Sequence, residues 1–264
     1  MNSPQDVQKF RQCLDAAERG NDEAQFYVAF AYESGIGVQE DKNEAFRWYM
    51  KAASNGNDKA QFMIGVFYEK GIVVKTNQEE ALKWYLKSAE QGNATAQNQL
   101  GAWYFNKENP GWFQEWWNKS KAFKWFSKGA EQGNSNSQTN LGHCYFYGCG
   151  TKKDLATALE WYMKAAEQNN PAAQFKIGYF YENGITVQEN QTEALKWYRK
   201  AASQGSTDAQ KRINEMTRRI DKKANSATIS KQPVDQEDRS LWIFIIVMFW
   251  LGIVSFIIWL LQTK

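Results

Sequence analysis

The 264 residues carry 32 Lys and Arg against 29 Asp and Glu, a formal charge of +3. That balance argues against a nucleic-acid partner, which calls for a basic face, and no RNA- or DNA-binding motif is present. Three cysteines (Cys13, Cys144, Cys149) fit a reducing compartment rather than a disulfide-built scaffold, and with the one histidine, His143, they do not complete a four-ligand zinc set.

Met1-Asn2-Ser3-Pro4 leads into no apolar stretch, so no secretory signal is expected. Residues 4–18 read as a lone helix whose Ala16-Ala17 match the Ala52-Ala53 of a unit that then repeats. Ala24-Gln25, Ala60-Gln61, Ala96-Gln97, Ser137-Gln138, Ala173-Gln174 and Ala209-Gln210 follow one another in steps of 36, 36, 41, 36 and 36 residues. A fixed period in this range means stacked supersecondary units. Within one unit Ala60, Ile64, Phe67 and Tyr68 fall at i, i+4, i+7 and i+8, one face of a helix. Ala81, Trp84, Tyr85, Ser88 and Ala89 mark a second helix. Gly35, Gly71, Gly148 and Gly184 stand between the halves, where glycine tolerates the left-handed conformation that ends a helix. Gly20-Asn21, Gly56-Asn57, Gly92-Asn93 and Gly133-Asn134 close second helices, and each Asn suits the cap of the next helix. Each unit is expected to be a hairpin of two helices, roughly 13 to 15 residues each.

Gly65, Gly101, Gly142 and Gly178 sit inside first helices, where glycine costs about 1 kcal/mol against alanine. The recurrence predicts a close approach of the second helix, under its Trp (Trp84, Trp125, Trp161, Trp197).

The pattern resembles the Sel-1-like repeat, a relative of the tetratricopeptide repeat. Ala173, Ile177, Gly178, Tyr181 and Gly184, then Ala194, Trp197, Tyr198, Ala201, Ala202 and Gly205, match that family's motif, and the resemblance covers about residues 5 to 217. It implies an all-α, right-handed solenoid of five full repeats with terminal half-repeats, used as a scaffold or adaptor and without one fixed activity. Some members are cysteine-rich with a disulfide in each hairpin; four of the five hairpins here lack such pairs.

The third unit departs from the pattern. It carries five extra residues around Asn106–Asn118, and Lys107 stands in the glycine slot. Trp112, Phe113, Trp116 and Trp117 fall in the expected loop, either as a local hydrophobic plug or as a contact hot spot, where Trp is enriched. Residues 207–220 align with a first helix alone, with Asn214 for Gly and Thr217 for Tyr; degraded end units suit capping. The solenoid is thus assigned to residues 1–223 and a flexible linker with Pro233 to 224–240.

Residues 241–261 read LWIFIIVMFWLGIVSFIIWLL, 21 residues without a charge, long enough to cross a bilayer. Trp242 and Trp259 lie near its ends, as interfacial aromatics do, and residues 262–264 form a tail. Lys222, Lys223, Lys231 and Arg239 precede it against Lys264 beyond, which orients the solenoid to the cytoplasm. A single-pass C-terminal anchor is expected, with the bacterial inner membrane favoured over the endoplasmic reticulum or the mitochondrial outer membrane.

No phosphate loop, zinc-protease motif or nucleophile elbow is present, and Gly35-Ile36-Gly37 belongs to a hairpin turn. His143 and Cys144 are helix neighbours that point about 100° apart, a poor dyad. No catalytic residue, cofactor or metal is assigned. In related solenoids first helices line the concave groove, so the motif's variable slots there are the candidate partner contacts. They are Tyr27, Met63, Gln99, Asn140 and Lys176, and one turn on Phe30, Val66, His143 and Tyr179. Tyr27, Phe30, Met63 and Val66 suggest an apolar end suited to a peptide or helix, unless Tyr27 and Phe30 pack under the N-terminal cap helix. The leading function is a membrane-anchored scaffold binding a protein or peptide in the groove, with the bilayer held by residues 241–261. The alternatives are an inhibitor or immunity protein that neutralises one toxin or enzyme, and a β-lactam-handling enzyme of the cysteine-rich Sel-1-like kind.

Overall fold

The computed structural model of the chain describes residues 3–106, 112–229 and 243–253. Every regular element among them is helical: α1 (Pro4–Glu18), α2 (Asp22–Ser34), α3 (Lys42–Ser54), α4 (Asp58–Lys70), α5 (Gln78–Glu90), α6 (Ala94–Asn106), α7 (Trp112–Glu131), α8 (Ser135–Tyr147), α9 (Leu155–Glu167), α10 (Pro171–Asn183), α11 (Gln191–Ser203) and α12 (Thr207–Ile229), followed by a short helix at 243–253. Residues 1–210 form one unit and 211–264 a second. In the first unit α2 pairs with α3, α4 with α5, α6 with α7, α8 with α9 and α10 with α11. The second helices α3, α5, α7 and α9 also pack on the first helices that follow them, α4, α6, α8 and α10, and α1 packs on α2. Contacts made almost wholly between neighbouring helices, repeated along the chain, with α6 also touching α8, make an all-α solenoid of helical hairpins.

The caps explain why the pattern cuts the chain into pieces of 13 residues. Asn21, Asn57, Asn134 and Asn170 cap the first helices by accepting from the N–H three residues on. Asp41, Asn77, Asp154 and Asn190 do the same for second helices, a set the sequence reading did not pick out. Their own N–H groups donate to the carbonyls of Tyr32, Tyr68, Tyr145 and Tyr181 at 2.9 Å, which closes each of these hairpins. Between the helices Gly71 ends α4 at φ 69° in the left-handed region.

The mid-helix glycines do admit a close neighbour, but it is not the expected Trp. A Cβ on Gly65, Gly101, Gly142 or Gly178 would fall 2.5–2.7 Å from the ring of Tyr85, Phe126, Tyr162 or Tyr198, the residue after each Trp. The Trp side chains turn away by one helical position and carry the ammonium of the lysine three residues on. Lys51 lies 3.8 Å from the Trp48 ring centre, Lys164 4.0 Å from Trp161 and Lys200 4.2 Å from Trp197.

The repeated glutamine is a polar tie between units. The Gln61 side chain donates to the Ala53 carbonyl of the preceding second helix and accepts from Gln91 at the end of its own hairpin. Gln97 bonds Ala89 and Gln132 in the same way, and Gln138 bonds Ala130 and Gln168. Each Gln therefore satisfies a carbonyl near a helix end that would otherwise be buried without its full complement.

Two assignments from sequence change here. The inserted stretch does not make an aromatic loop. Trp112–Glu131 is a single helix of 20 residues against 13 in the other second helices, so Trp112, Phe113, Trp116 and Trp117 lie in its first turns. Trp117 is exposed and carries Lys121 at 5.2 Å from its ring. Residues 224–229, assigned to the linker by composition, are the last turns of α12. Of the expected span, 241–242 and 254–261 lie outside the described residues, as do 262–264 and most of the linker. Among the described residues no helix is long and apolar enough to cross a membrane.

Candidate functional site: two cavities beside α6

Three hairpins share a buried contact across the pair. Tyr49, Tyr85 and Tyr198 of second helices donate their hydroxyls to Glu33, Glu69 and Glu182 of first helices at 2.7–2.8 Å. Burial, followed by the hydrogen bond to its glutamate, pushes Tyr49 and Tyr85 well above the ordinary tyrosine range, so both remain donors. The glutamate slot is Phe105 in the third repeat and Phe146 in the fourth. The third repeat also replaces the tyrosine, with Phe126, and loses nothing. The fourth keeps Tyr162, fully buried, and its hydroxyl has no hydrogen-bond partner among the described residues.

Cavities flank α6 where this series breaks. The first, of about 310 Å³, lies between α4, α5 and α6 and is lined by Glu69, Leu82, Tyr85, Gln99, Ala102, Trp103 and Asn106 among others. The Gln99 amide donates to Glu69 Oε1 at 3.1 Å. The second, of about 200 Å³, lies between α6, α7 and α8 and is lined by Ala102, Phe105, Asn106, Phe126, Asn140 and His143. Ala102 and Asn106 belong to both. In the second, Asn140 donates to Asn98 Oδ1 at 3.0 Å. The buried Nε2 of His143 has no partner among the described residues. The His143 ring meets Tyr162 edge-on, 5.5 Å between centres. Burial, and then the positive charge of Lys176, lower the His143 pKa to about 4. The ring is therefore neutral at pH 7 and offers one donor and one acceptor.

The groove contacts expected from sequence separate into three groups. Gln99, Asn140 and His143 come together around α6. Lys176 sits one repeat on, its ammonium 5.5 Å from the Phe146 ring centre and 5.7 Å from that of Tyr147, and Tyr179 packs against Phe146. The apolar end does not form one open patch. Tyr27 and Met63 are half-buried against the N-terminal core, and Lys9 of α1 covers the Tyr27 ring at 4.8 Å. Val66 packs into the next cluster, and Phe30 is exposed. The sequence reading missed Glu69, Trp103, Phe105 and Phe126. The signal was there: an acid follows the motif tyrosine at Glu33, Glu69 and Glu182 and is absent at Phe105 and Phe146.

Cys13, Cys144 and Cys149 are free, and burial, with Cys149 nearby, raises the Cys144 thiol to about 12, far from a reactive thiolate. No group of His, Cys, Asp and Glu among the described residues is placed to hold a metal ion.

The Sel1 repeat model matches five consecutive segments, 22–57, 58–93, 94–134, 135–170 and 171–206, which are the five hairpins α2/α3 to α10/α11. Among solved structures, a protective antigen of uropathogenic Escherichia coli with an SLR fold is 34% identical with a TM-score of 0.68; the match covers 81% of this chain and 45% of that one. This chain thus spans less than half of that protein. A Sel1 repeat protein from Oxalobacter formigenes is 32% identical with a TM-score of 0.63, over 73% of this chain and 77% of that one. No curated protein matches. With five matched repeats, the hairpin architecture and these two relatives in agreement, the chain belongs to the Sel1 repeat family.

Proposed function

We propose that this chain is a protein-binding scaffold held at a membrane, and that it takes up a segment of a partner protein on the first-helix face beside α6. The observation that carries the reading is the pair of adjoining cavities. They sit between consecutive hairpins and are lined by side chains the repeat motif leaves variable, Gln99, Asn140 and His143. Motif residues are spent on packing between units, so the variable positions are free to recognise. Mixed polar and apolar concavities are the usual place for that.

The anchoring part of the reading rests on residues 241–261. They hold no charge, and every side chain from Ile243 to Leu251 is exposed in the described stretch. An apolar surface of that continuity marks a membrane or protein contact. The basic residues upstream set the repeats on the cytoplasmic side.

Ala102→Trp tests the reading, because Ala102 lines both cavities and a large side chain there fills them. Full-length chain and variant are isolated from detergent-solubilised membranes, and helical content is checked by circular dichroism. A dominant partner present with the chain and lost with the folded variant supports the face beside α6. A partner retained by the variant removes that face from the function. A partner enzyme whose activity is abolished by stoichiometric chain recasts the scaffold as an inhibitor.

A further inference from the structure

We propose that the cavity between α4, α5 and α6 is a pocket for a basic side chain, a lysine or arginine, presented by the protein partner; this rests on the reading of the α6 face as a binding surface. The centre of the pocket is Glu69. It is half-buried, and its carboxylate is held by two neutral donors, the Tyr85 hydroxyl at 2.8 Å and the Gln99 amide at 3.1 Å. No lysine or arginine among the described residues lines the cavity or pairs with Glu69. A carboxylate has about four lone-pair sites, so two donors leave acceptor capacity open. A hydrogen bond to a carboxylate from a lysine or arginine is charge-assisted at both ends and stronger than one from a neutral donor.

The walls fit such a stem. Ala81, Leu82 and Ala102 supply an apolar sleeve for methylenes, Trp103 supplies an aromatic surface that attracts a cation, and Asn106 supplies an amide oxygen. The equivalent glutamates are placed differently. One repeat earlier, the positions of Gln99 and Asn106 are taken by Met63 and Lys70, so the register around Glu33 already contains a cation. Glu182 is buried. At Glu69 a cavity, two neutral amides and an aromatic side chain come together.

The test uses the full chain in detergent micelles, labelled with 5-fluorotryptophan, with the Trp103 resonance assigned by its loss in Trp103→Phe. The probes are N-acetyl-argininamide, N-acetyl-lysinamide and, as the uncharged control, N-acetyl-norleucinamide. A saturable Trp103 shift is expected for at least one cation, with a dissociation constant on the order of 1–10 mM as befits one side chain. It should weaken at least about tenfold in Glu69→Gln, which keeps an oxygen for Tyr85 and removes the charge. An equal shift from norleucinamide, an unchanged titration in Glu69→Gln, or no saturable shift each overturn the proposal. The partner capture separates this from the broader reading. A partner lost with Ala102→Trp but retained by Glu69→Gln leaves the face standing and removes the basic anchor, whereas a partner indifferent to Ala102→Trp removes the face whatever the probes do.

Discussion

A Cβ placed on Gly65 would lie 2.5 Å from Cε1 of Tyr85. The ring cannot swing away, because Tyr85 is buried and its hydroxyl is tied to Glu69. Two effects compete in Gly65→Ala: about 1 kcal/mol of helix propensity gained and overpacking against a fixed ring. The first hairpin shows how much the fold can give, since Ala29 holds the same register there beside Tyr49. A small shift of α4 is therefore available, at the expense of the fit around the Glu69 pocket. We expect a net loss of about 1–2 kcal/mol, read as a lower urea midpoint of helical circular dichroism. A gain in stability would show that the glycine is not there to admit the ring.

Much of this relationship was legible in sequence and part of it was not. Recurrence alone located Gly65, Gly101, Gly142 and Gly178 and the approach they permit. It could not choose between Trp84 and Tyr85, because adjacent residues on a helix recur with the same period and differ only in direction. The same limit applied to Tyr27 and Met63. Their slots vary, as exposed slots do, yet α1 lies over the first hairpin and Lys9 covers the Tyr27 ring. Gln99 on α6 and Asn140 and His143 on α8 were found because they occupy the variable slots of the first-helix motif. Glu69 was not singled out, because an acid recurring in a first helix has the same sequence signature whether it faces water or accepts a hydrogen bond, and only the geometry reveals the Tyr85 hydroxyl donating to it.

Asn118 offers a sharper test of how the insertion was accommodated. It occupies the register of the second-helix caps Asp41, Asn77, Asp154 and Asn190. The inserted residues extend α7 back to Trp112, so Asn118 lies inside the helix, buried, with a side-chain Nδ2 that has no partner among the described residues. A cap position inside a helix no longer has a cap to lose. Asn77→Ala should cost about 1 kcal/mol, because Asn77 accepts from the N–H groups of Glu79 and Glu80. Asn118→Ala should be neutral or stabilising by up to about 1 kcal/mol, since it removes a buried Nδ2 donor that has no partner and restores a good helix former. Equal losses in the two variants, measured by urea denaturation, would mean that Asn118 still begins a helix.

His143 gives the solenoid an acid-side dependence. Its pKa in the folded chain is about 4 against an ordinary 6.5. A lowered pKa on a base means that the unfolded chain binds more protons between those values, so stability falls as the pH drops from 6.5 toward 4 and is fully present above 6.5. The slope for one group is at most about 1.4 kcal/mol per pH unit. Because His143 is the single histidine, the difference between the chain and His143→Asn isolates it from carboxylates that titrate lower. The urea midpoint of the chain should fall more steeply than that of the variant between pH 6.5 and 5. Parallel curves would place His143 in contact with solvent.

The anchor is the claim on which the cellular meaning of the scaffold depends, and it can be separated from the fold. The repeats in residues 1–210 form their own unit with their own buried core, and a stack held by neighbour contacts does not need a distant segment to close it. Deleting residues 241–264 should therefore leave a folded, helical protein while changing where it is found. The full chain should resist extraction by high salt and alkaline carbonate and yield only to detergent, because burying about 20 apolar residues far outweighs screened electrostatic contacts. The truncated chain should appear in the soluble fraction with unchanged helical content. Protease added to sealed inside-out vesicles should digest the repeats if they face the cytoplasm, and spare them in the opposite orientation. A full chain released by salt alone would reduce 241–261 to a protein contact, and a truncated chain that aggregates would make that segment part of the fold it was expected only to tether.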